Sequence, residues 1–278
     1  MVEGRIRRNI KQNNLIKYGD RIAVAVSGGK DSVTCLYTIA KLRDILNVEV
    51  IAISVDEGIK GYREESLKFA RKAAKKLKVE HKIASFKKIF GYSLDEILQV
   101  EEFRKKACTF CGVFRRRCIN MLAKEVCADK VATGHNLDDE IQAIMMNYIK
   151  GNLERLRRLG PITLPKREGF VQRIKPLRLI PEKEVALYAL LKGYEVYNGE
   201  CPYIIYAFRH SVRQMINWLE RKHPGIKFSI LGTYDRLKPL FGKYIKINKL
   251  KPCKICGEPT AHEVCKVCSL LKKIEEML

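Results

Sequence analysis

The chain has 278 residues and a formal charge of +23 at pH 7, from 54 lysines and arginines against 31 aspartates and glutamates. This length suffices for one well-buried α/β domain of roughly 200 residues with smaller attachments, which excludes a wholly disordered chain. The excess of positive charge favours a polyanionic partner, above all nucleic acid, with a lysine-rich surface that binds nothing as the alternative. No segment approaches the roughly 18 continuous apolar residues of a transmembrane helix, and the N-terminus lacks the apolar core of a signal peptide. We therefore expect a cytoplasmic protein without a membrane partner.

The first 151 residues alternate between helical and strand patterns. A basic amphipathic helix lies within residues 1–20, with Ile6 and Ile10 at helical spacing among arginines; it either follows a phosphate backbone or packs on the core. Apolar β-branched runs then alternate with helical patterns, which predicts a doubly wound, mainly parallel sheet. The predicted strands are 21–26, 48–56, 80–85 and 130–135, and the predicted helices are 33–46, 64–77, two between the third and fourth strands, and 137–151.

The second half of the chain is less regular. Prolines interrupt residues 152–182, which predicts an irregular excursion that ends in a short strand at 170–174. A helix from Glu182 to Lys192 and a strand at 195–198 then return to the sheet, and a helix at 208–222 precedes a less legible helical stretch after Pro224. We divide the chain into an N-terminal helix (1–20), an α/β domain (21–205), a helical extension (206–251) and a cysteine-bearing module (252–278).

A glycine turn joins the first predicted strand to the first predicted helix of the α/β domain. Its sequence is Ser27-Gly28-Gly29-Lys30-Asp31-Ser32. Two glycines let the backbone approach a ligand closely, and the amides and dipole of the following helix favour a bound anion. The spacing is neither that of a Walker A loop nor that of a dinucleotide fingerprint. The turn therefore predicts a phosphate site of another kind.

This turn resembles the PP-loop, SGGxDS, of the ATP-pyrophosphatase superfamily, and every specified position matches. The resemblance implies an adenine nucleotide alpha hydrolase-like fold that cleaves ATP between the α- and β-phosphates and adenylates a carbonyl or carboxyl oxygen. It implies that Lys30 neutralises the phosphates and that Asp31 helps to place Mg²⁺. The other residues that it assigns to the nucleotide are Ala25, Ser27, Gly28, Gly29, Ser32, Ile53 and Val55. Ala25, Ile53 and Val55 suit buried strand positions equally well.

A second motif, Gly134-His135-Asn136-Leu137-Asp138-Asp139, follows the fourth predicted strand. Open α/β sheets bind ligands at the carboxyl ends of their strands. The motif resembles the second characteristic block of the superfamily. That resemblance implies that Gly134 admits the nucleotide and that Asp138 and Asp139 have catalytic or metal-binding roles, with Asp139 favoured. Both aspartates also suit the first turn of a helix, where they cap it and stabilise its dipole.

Ten cysteines in a chain without a secretory signal favour metal or redox chemistry over disulfides. Cys108 and Cys111 form a CxxC pair in a basic stretch, and Cys201 lies beyond the last predicted sheet strand. With the upstream phosphate loop, this trio resembles the tRNA 2-thiolation enzymes of the TtcA/TtuA family, in its archaeal and eukaryotic cytosolic branch, over nearly the whole chain. The resemblance implies a [4Fe–4S] cluster on the trio, with Cys108 and Cys201 catalytic; a persulfide resolved by a second cysteine is the alternative. We expect merely packed thiols at Cys35, Cys118 and Cys127.

Basic residues accompany these motifs. Arg115, Arg116 and Arg117 follow Cys111 closely. The family often has a basic residue near Arg115, which would assist AMP departure or hold RNA phosphate; a solvated helical face is the alternative. Other basic positions that would extend an RNA surface, although the sequence gives them no common face, are Lys150, Arg155, Arg157, Arg158, Arg167, Arg173 and Arg178.

Two further CxxC pairs end the chain: Cys253, Cys256, Cys265 and Cys268, with eight residues between the pairs. This spacing is typical of a closed, structural four-cysteine zinc ribbon, with iron as the chemical alternative. His262, between the pairs, is expected on the surface. Family members commonly carry another zinc ribbon before the basic helix, whereas this sequence begins directly at that helix. The choice between the wobble uridine and the T-loop uridine therefore stays open.

The resemblance implies an ATP-dependent tRNA uridine 2-sulfurtransferase that uses ATP, Mg²⁺, a [4Fe–4S] cluster and Zn²⁺. The uridine C2 oxygen attacks the α-phosphorus of ATP, and sulfur then displaces AMP. The implied partners are tRNA, a sulfur donor (sulfide or a thiocarboxylated ubiquitin-like protein) and a second copy in a homodimer. One alternative is a PP-loop RNA-modifying ligase with a nitrogen nucleophile, against which the cysteine trio argues. Another is a non-catalytic zinc-ribbon RNA-binding protein, against which intact Lys30 and Asp31 argue.

Overall fold

A five-stranded parallel sheet forms the centre of the protein, in a computed structural model that describes residues 2–163, 168–204, 208–245 and 249–278. The strand order is β3-β2-β1-β4-β5, and all four neighbouring pairs are parallel. The strands are β1 (Arg21–Ala25), β2 (Glu49–Asp56), β3 (Glu80–Ser85), β4 (Lys130–Thr133) and β5 (Gln172–Ile174). The predicted doubly wound α/β fold is confirmed.

Fourteen helices surround the sheet within the described ranges. The first seven are α1 (Val2–Gln12), α2 (Lys30–Ala40), α3 (Arg43–Leu46), α4 (Arg63–Lys76), α5 (Phe86–Phe90), α6 (Leu94–Ile97) and α7 (Glu101–Arg104). The others are α8 (Ala107–Glu125), α9 (Leu137–Ile149), α10 (Leu153–Arg158), α11 (Glu182–Leu191), α12 (Phe208–Lys222), α13 (Ile226–Tyr244) and α14 (Lys266–Glu275). In the part of the chain that the structure describes, no helix is both long enough and apolar enough to cross a membrane.

Both faces of the sheet are covered by apolar packing. Because side chains alternate along a strand, Ile22 and Val24 of β1 join the hydrophobic cluster beneath α1, α2 and α4, whereas Ala23 joins the cluster beneath α5 and α8. The central strands are therefore nearly continuous apolar runs, as parallel strands buried on both faces require.

The basic helix α1 packs on the core, which was one of the two alternatives for it. Ile6 is 0% exposed and Ile10 is 5% exposed. The Asn9 side chain donates to the carbonyl oxygens of Lys175, at 3.0 Å, and Pro176, at 2.9 Å. These bonds fix α1 to the segment that follows β5.

Three secondary-structure predictions were wrong. The single helix predicted at 33–46 is two helices, α2 and α3, with a turn at Lys41 and Leu42 between them. Residues 195–198 do not form a strand; Tyr197 makes a single bridge to the glycine turn, with its N–H 2.9 Å from the Gly28 carbonyl oxygen. Four helices rather than two lie between β3 and β4, because α5, α6 and α7 have only four or five residues each. Gly91 ends α5 in a left-handed conformation and Ser93 caps α6, so no helical period is long enough to be recognised.

The terminal module consists of an antiparallel hairpin, β6 (Lys251–Pro252) with β7 (Pro259–Thr260), and helix α14. Leu270 and Ile274 of α14 are buried in the same cluster as Phe110 and Phe114 of α8. The module is thus attached to the helix that carries the central CxxC pair.

Candidate functional site

The glycine turn between β1 and α2 (residues 27–32, hereafter the phosphate loop) is held in a tight conformation by its own residues. Gly28 has φ of +93°, and a Cβ there would lie 1.9 Å from the carbonyl oxygen of Ser66, so only glycine fits. Gly29 caps α2. The Ser32 hydroxyl accepts from the Ser27 amide at 3.0 Å and donates to the Gly29 carbonyl oxygen at 2.9 Å. The N-terminal amides of α2 therefore face the carboxyl edge of the sheet, where they favour an anion.

A buried arginine, which the sequence analysis did not identify, supports this loop from behind. The Arg63 guanidinium donates to the Ser27 carbonyl oxygen at 3.0 Å and to the Val55 carbonyl oxygen at 2.6 Å, and it pairs with Glu57 at 2.8 Å. Both Arg63 and Glu57 are 4% exposed. Because Arg63 holds one loop carbonyl and the Tyr197 amide holds the next, the backbone of the loop has little freedom to rearrange.

Lys30 and Asp31 form a charged cluster above the loop. The Lys30 ammonium lies 3.0 Å from Asp31 and 2.9 Å from Glu182. Burial lowers the pKa of Lys30, but the two carboxylates outweigh that effect, so the pKa lies above its ordinary value. Burial raises the pKa of Asp31 above its ordinary value, against the opposing effects of Lys30 and the Asn136 amide. Lys30 is thus charged and positioned to meet phosphate.

The turn after β4 packs directly against the phosphate loop. A Cβ at Gly134 would lie 2.8 Å from both the carbonyl oxygen of Asp31 and the amide nitrogen of Ser32. Asn136 caps α9 by accepting from the Asp139 amide, and its side-chain amide donates to Asp31 at 2.9 Å. Gly134 therefore admits the backbone of the loop, and Asn136 links the two motifs. Asn136 lies within the quoted motif, but no role for it was predicted.

The two aspartates of the second motif have different surroundings. Asp138 is 5% exposed, accepts from the Glu182 amide at 2.8 Å and pairs with Lys227. These contacts fix the start of α11 and the helix α13 against α9, which carries Asp138. Asp139 faces the pocket beside the loop, where burial raises its pKa despite Arg209 at 3.4 Å. Asp139 is therefore the better placed of the two for a metal ion or a reacting group.

The pocket beside the phosphate loop lies at the carboxyl edge of the sheet, between β1 and β4, where the chain connections leave in opposite directions. Arg213 contacts Glu182 at 2.9 Å across it. Arg209 and Arg213 stand four residues apart on α12, a spacing that could have indicated one helix face. The residues that line the pocket are Asp31, Asn136, Asp139, Gln142, Glu182, Ile204, Arg209, His210 and Arg213.

The other residues assigned to the nucleotide lie at the ends of the central strands. Ala25 and Ile53 are register partners in β1 and β2. Ile53 is 0% exposed and Val55 is 3% exposed, both within a hydrophobic cluster. The side chains of Ile53 and Val55 thus belong to the core, and Ala25, which is partly buried, packs against the same cluster.

The three central cysteines converge on one side of the phosphate loop. Cys108 and Cys111 lie in the first turns of α8, and Cys201 lies four residues beyond Tyr197. Burial is the main cause that raises the pKa of Cys111 to about 11; Arg115 opposes it, and Glu57, Cys201 and Cys108 act in the same direction as burial. Burial likewise raises the pKa of Cys201, and Cys108 contributes. Cys111 and Cys201 also pack against the same hydrophobic cluster, which places the trio in one region of the protein.

The spacing of the three central sulfurs does not suit a single metal ion. These sulfurs do not all lie within 4.8 Å of one another, although the four terminal cysteine sulfurs do. With metal–sulfur bonds of about 2.3 Å, a single ion would need the closer spacing. Three converging thiols, of which Cys108 is exposed and the others are partly buried, suit a larger cluster that keeps one side open.

The remaining thiols have no part in this arrangement. Cys35 and Cys118 are each 0% exposed in the hydrophobic core, as expected. Cys127 was expected to be packed, and that prediction was wrong: it is exposed, in the turn after α8, with φ of +51°. An exposed turn position has no apolar neighbours to bury the thiol.

The four terminal sulfurs, of Cys253, Cys256, Cys265 and Cys268, lie within 4.8 Å of one another. The Cys265 amide donates to the Cys253 sulfur at 3.2 Å, and backbone amides of Cys256 and Cys265 lower the pKa of Cys253 to about 6. Backbone donors to thiolates are typical of zinc knuckles, so the donor set fits Zn²⁺. His262 is exposed and outside the set, as predicted.

The predicted basic positions separate into different groups. Arg117 pairs with Glu258 of the terminal module at 2.6 Å. Arg178 is 3% exposed and pairs with Asp235 at 2.6 Å, so burial removes it from any RNA surface. Arg115 lies 3.8 Å from Glu57, beside Cys111. Arg167 lies outside the described residues.

Comparisons with known proteins agree with this geometry. A sequence model of the family described as PP-loop domain matches residues 2–218. The chain is 36% identical to tRNA 2-thiolation protein NcsA of Haloferax volcanii, covering 99% of this chain and 90% of that protein. It is 38% identical to tRNA-5-methyluridine(54) 2-sulfurtransferase of Pyrococcus horikoshii (98% and 85% covered) and 34% identical to cytoplasmic tRNA 2-thiolation protein 1 of Drosophila melanogaster (99% and 80% covered). Among solved structures, it is similar to the U34-tRNA thiolase NcsA from Methanococcus maripaludis with its [4Fe–4S] cluster, at 40% identity and a TM-score of 0.83 (98% and 86% covered).

Proposed function

The chain belongs to the PP-loop family of tRNA 2-thiolation proteins, and from that premise we propose that it is an ATP-dependent tRNA uridine 2-sulfurtransferase. The observation that carries the proposal is that an activating site and a sulfur-handling site adjoin. The segment that bonds the phosphate loop through Tyr197 reaches Cys201 four residues later. A second connection runs from the Ser27 carbonyl oxygen through Arg63 to Glu57, which faces Arg115 and the trio.

The first step is activation of the uridine. The amides of α2 and the Lys30 ammonium bind the phosphates of ATP, and the uridine C2 oxygen attacks the α-phosphorus. Asp31 and Asp139 supply carboxylate oxygens for Mg²⁺, which suits two partly buried carboxyl groups whose pKa values lie above the ordinary range. Pyrophosphate leaves against the positive charge of Lys30 and the dipole of α2. The adenylate makes the C2 oxygen part of a good leaving group.

The second step is sulfur transfer. We assign Cys108, Cys111 and Cys201 as the ligands of a [4Fe–4S] cluster, like the cluster in the structure of the Methanococcus maripaludis thiolase. When bound, a cluster with three protein ligands supplies an open iron at which a sulfide nucleophile can be held. The Arg115 guanidinium, next to Cys111, offsets negative charge on the trio. A C2–S bond forms, the C2–O bond breaks, and AMP leaves with the original uridine oxygen.

Three further assignments accompany this function. Zn²⁺ on the four terminal cysteines stabilises a module too small to bury a core of its own. The sulfur donor is free sulfide or a thiocarboxylated ubiquitin-like protein, and the enzyme acts as a homodimer. We place the reaction in the cytoplasm, as the name of the Drosophila melanogaster relative does for that protein. The relatives' names include positions 34 and 54, so sequencing of the thiolated tRNA decides the position.

The test is reconstitution under anaerobic conditions. Enzyme loaded with iron and sulfide is incubated with ATP, Mg²⁺, sulfide and unmodified tRNA, and the nucleosides are analysed by mass spectrometry. We expect 2-thiouridine, with AMP formed in equal amount, and loss of the product in Cys108→Ser, Cys111→Ser and Cys201→Ser. Cys127→Ser is the matched control, because it removes an exposed thiol beyond the C-terminal end of α8, whereas Cys108 and Cys111 lie at its start. Thiolation by enzyme without iron would show that the cluster is dispensable and that sulfide attacks the adenylated uridine directly, and no thiolated nucleoside would refute the proposed function.

A further inference from the structure

Three arginines from separate elements make up what we call the arginine cluster. Arg116 of α8 and Arg173 of β5 are in contact, and Arg155 of α10 is near enough for its charge to lower the pKa of Arg116. The Arg173 guanidinium donates to the Arg116 carbonyl oxygen at 3.2 Å. The Arg116 guanidinium leans back along α8 until it lies 3.3 Å from where a Cβ of Gly112 would be. Gly112 directly follows Cys111, so the cluster adjoins the turn that carries the CxxC pair.

The members of the arginine cluster make no ion pair with any carboxylate side chain. The ranges outside the described residues, Met1, 164–167, 205–207 and 246–248, contain no aspartate or glutamate, so every acidic side chain of the protein is accounted for. Neighbouring arginines behave differently. Arg117 pairs with Glu258, and Arg158 pairs with Glu154.

The guanidiniums of the cluster repel one another. Burial, together with the charges of Arg116 and Arg115, lowers the pKa of Arg173 to about 10. Burial also lowers the pKa of Arg116, and Arg115 and Arg155 contribute. Arg116 and Arg155 are exposed and Arg173 is partly exposed, so solvent screens this repulsion, but like charges that lack a carboxylate partner still favour an anion held between them.

We propose that the arginine cluster binds a backbone phosphate of the tRNA beside the uridine that is modified. Guanidiniums bind phosphate oxygens through paired hydrogen bonds, and a phosphodiester cannot lose its charge near neutral pH. The cluster borders the thiol trio rather than the ATP pocket, whose arginines, Arg209 and Arg213, face Asp139 and Glu182. A phosphate held there would bring its nucleotide to the sulfur-handling site. This inference rests on the proposed function, because it takes tRNA as the substrate.

The first experiment measures the affinity for tRNA as a function of salt concentration, without turnover. The variants are Arg116→Gln, Arg155→Gln and Arg173→Gln. Lys76→Gln is the control, since it removes one charge at the exposed end of α4, at the opposite edge of the sheet. Each phosphate contact contributes roughly 0.7–0.9 to the slope of log K against log salt. We expect each cluster variant to lose about that much of the slope. Lys76→Gln should keep the wild-type slope, and none of these variants should change the affinity for ATP.

The second experiment locates the phosphate. A tRNA with a neutral methylphosphonate at one linkage next to the target uridine should bind wild-type enzyme at least several-fold more weakly. Arg173→Gln should be less sensitive to that replacement than the wild type, because one of the charge partners of the phosphate is already gone. Equal sensitivity of wild type and variant at every linkage would overturn the proposal.

A thermal unfolding measurement separates binding from a structural role. Removal of a repelling charge should leave the melting temperature of Arg173→Gln unchanged or raised, so a large fall would contradict the account of the cluster. If inorganic phosphate stabilises the wild type but Arg173→Gln keeps the full salt slope for tRNA, the cluster holds a small anion and the proposal fails. If the slope falls as expected but no 2-thiouridine forms, the phosphate site stands and the proposed function fails instead.

Discussion

Adding one methyl group at Gly134 should weaken ATP binding without unfolding the protein. A Cβ at this position meets Asp31 and Ser32 at 2.8 Å, and the atoms that it meets are backbone atoms at the start of α2. Backbone atoms cannot move aside as a side-chain tip can, so α2 and the phosphate loop must shift. Overpacking of this kind costs about 1–3 kcal/mol. If that cost falls on the bound conformation of the loop, Gly134→Ala binds ATP about 5- to 150-fold more weakly.

Calorimetric titration with ATP and Mg²⁺, together with thermal unfolding, measures both parts of this expectation. Gly4→Ala is the matched control, because it adds the same methyl group within α1 where a Cβ would have nothing within 4 Å. That change should leave ATP binding intact and stabilise the helix by about 0.5–1 kcal/mol. Wild-type ATP affinity and wild-type stability in Gly134→Ala would refute the packing argument.

Three other outcomes are expected. Burial lowers the pKa of His81 to about 4, so between pH 6.5 and 4 the unfolded chain binds a proton that the native protein does not. Stability should fall by up to about 1.4 kcal/mol per pH unit as pH falls through that window, and His81→Gln should flatten the urea-unfolding profile there; an unchanged slope would contradict this. Ile274 is 0% exposed, so Ile274→Ala should lower the free energy of unfolding, measured with denaturant, by about 2–5 kcal/mol. Met277 is 47% exposed, so Met277→Ala should lower it little, and equal losses would contradict the docking of α14. Arg63→Lys keeps the charge beside Glu57 but cannot donate to both the Ser27 and the Val55 carbonyl oxygens, so the KM for ATP should rise several-fold. An unchanged KM would show that the loop does not need this support.

The sheet and the phosphate loop could be predicted because their signals are local. A parallel strand buried on both faces is a continuous apolar run in the sequence. The backbone at Gly28 has a positive φ, which favours glycine, and that glycine is visible in the sequence. The strand predicted at 195–198 failed for the opposite reason. Four residues of strand-like composition do not specify a partner, and Tyr197 bonds to the loop instead of a neighbouring strand.

The site residues that were missed depend on tertiary contacts. Arg63 follows β2 in an ordinary helix start, and nothing in its neighbourhood shows that its guanidinium reaches the Ser27 carbonyl oxygen. Glu182 lies 152 residues from Lys30, and α11 brings the two together. No sequence pattern groups Arg116, Arg155 and Arg173, because they come from two helices and an edge strand that only the fold brings together.

The fate of the uridine C2 oxygen tests the central claim most directly. A tRNA that carries ¹⁸O at C2 of the target uridine is incubated with enzyme, ATP, Mg²⁺ and sulfide, and the AMP and the nucleosides are analysed by mass spectrometry. Activation of this oxygen at the phosphate loop, followed by displacement by sulfur, predicts one ¹⁸O atom in AMP for every 2-thiouridine formed. Unlabelled AMP alongside 2-thiouridine would contradict it, because the oxygen would then have left the uridine without becoming bonded to the α-phosphorus.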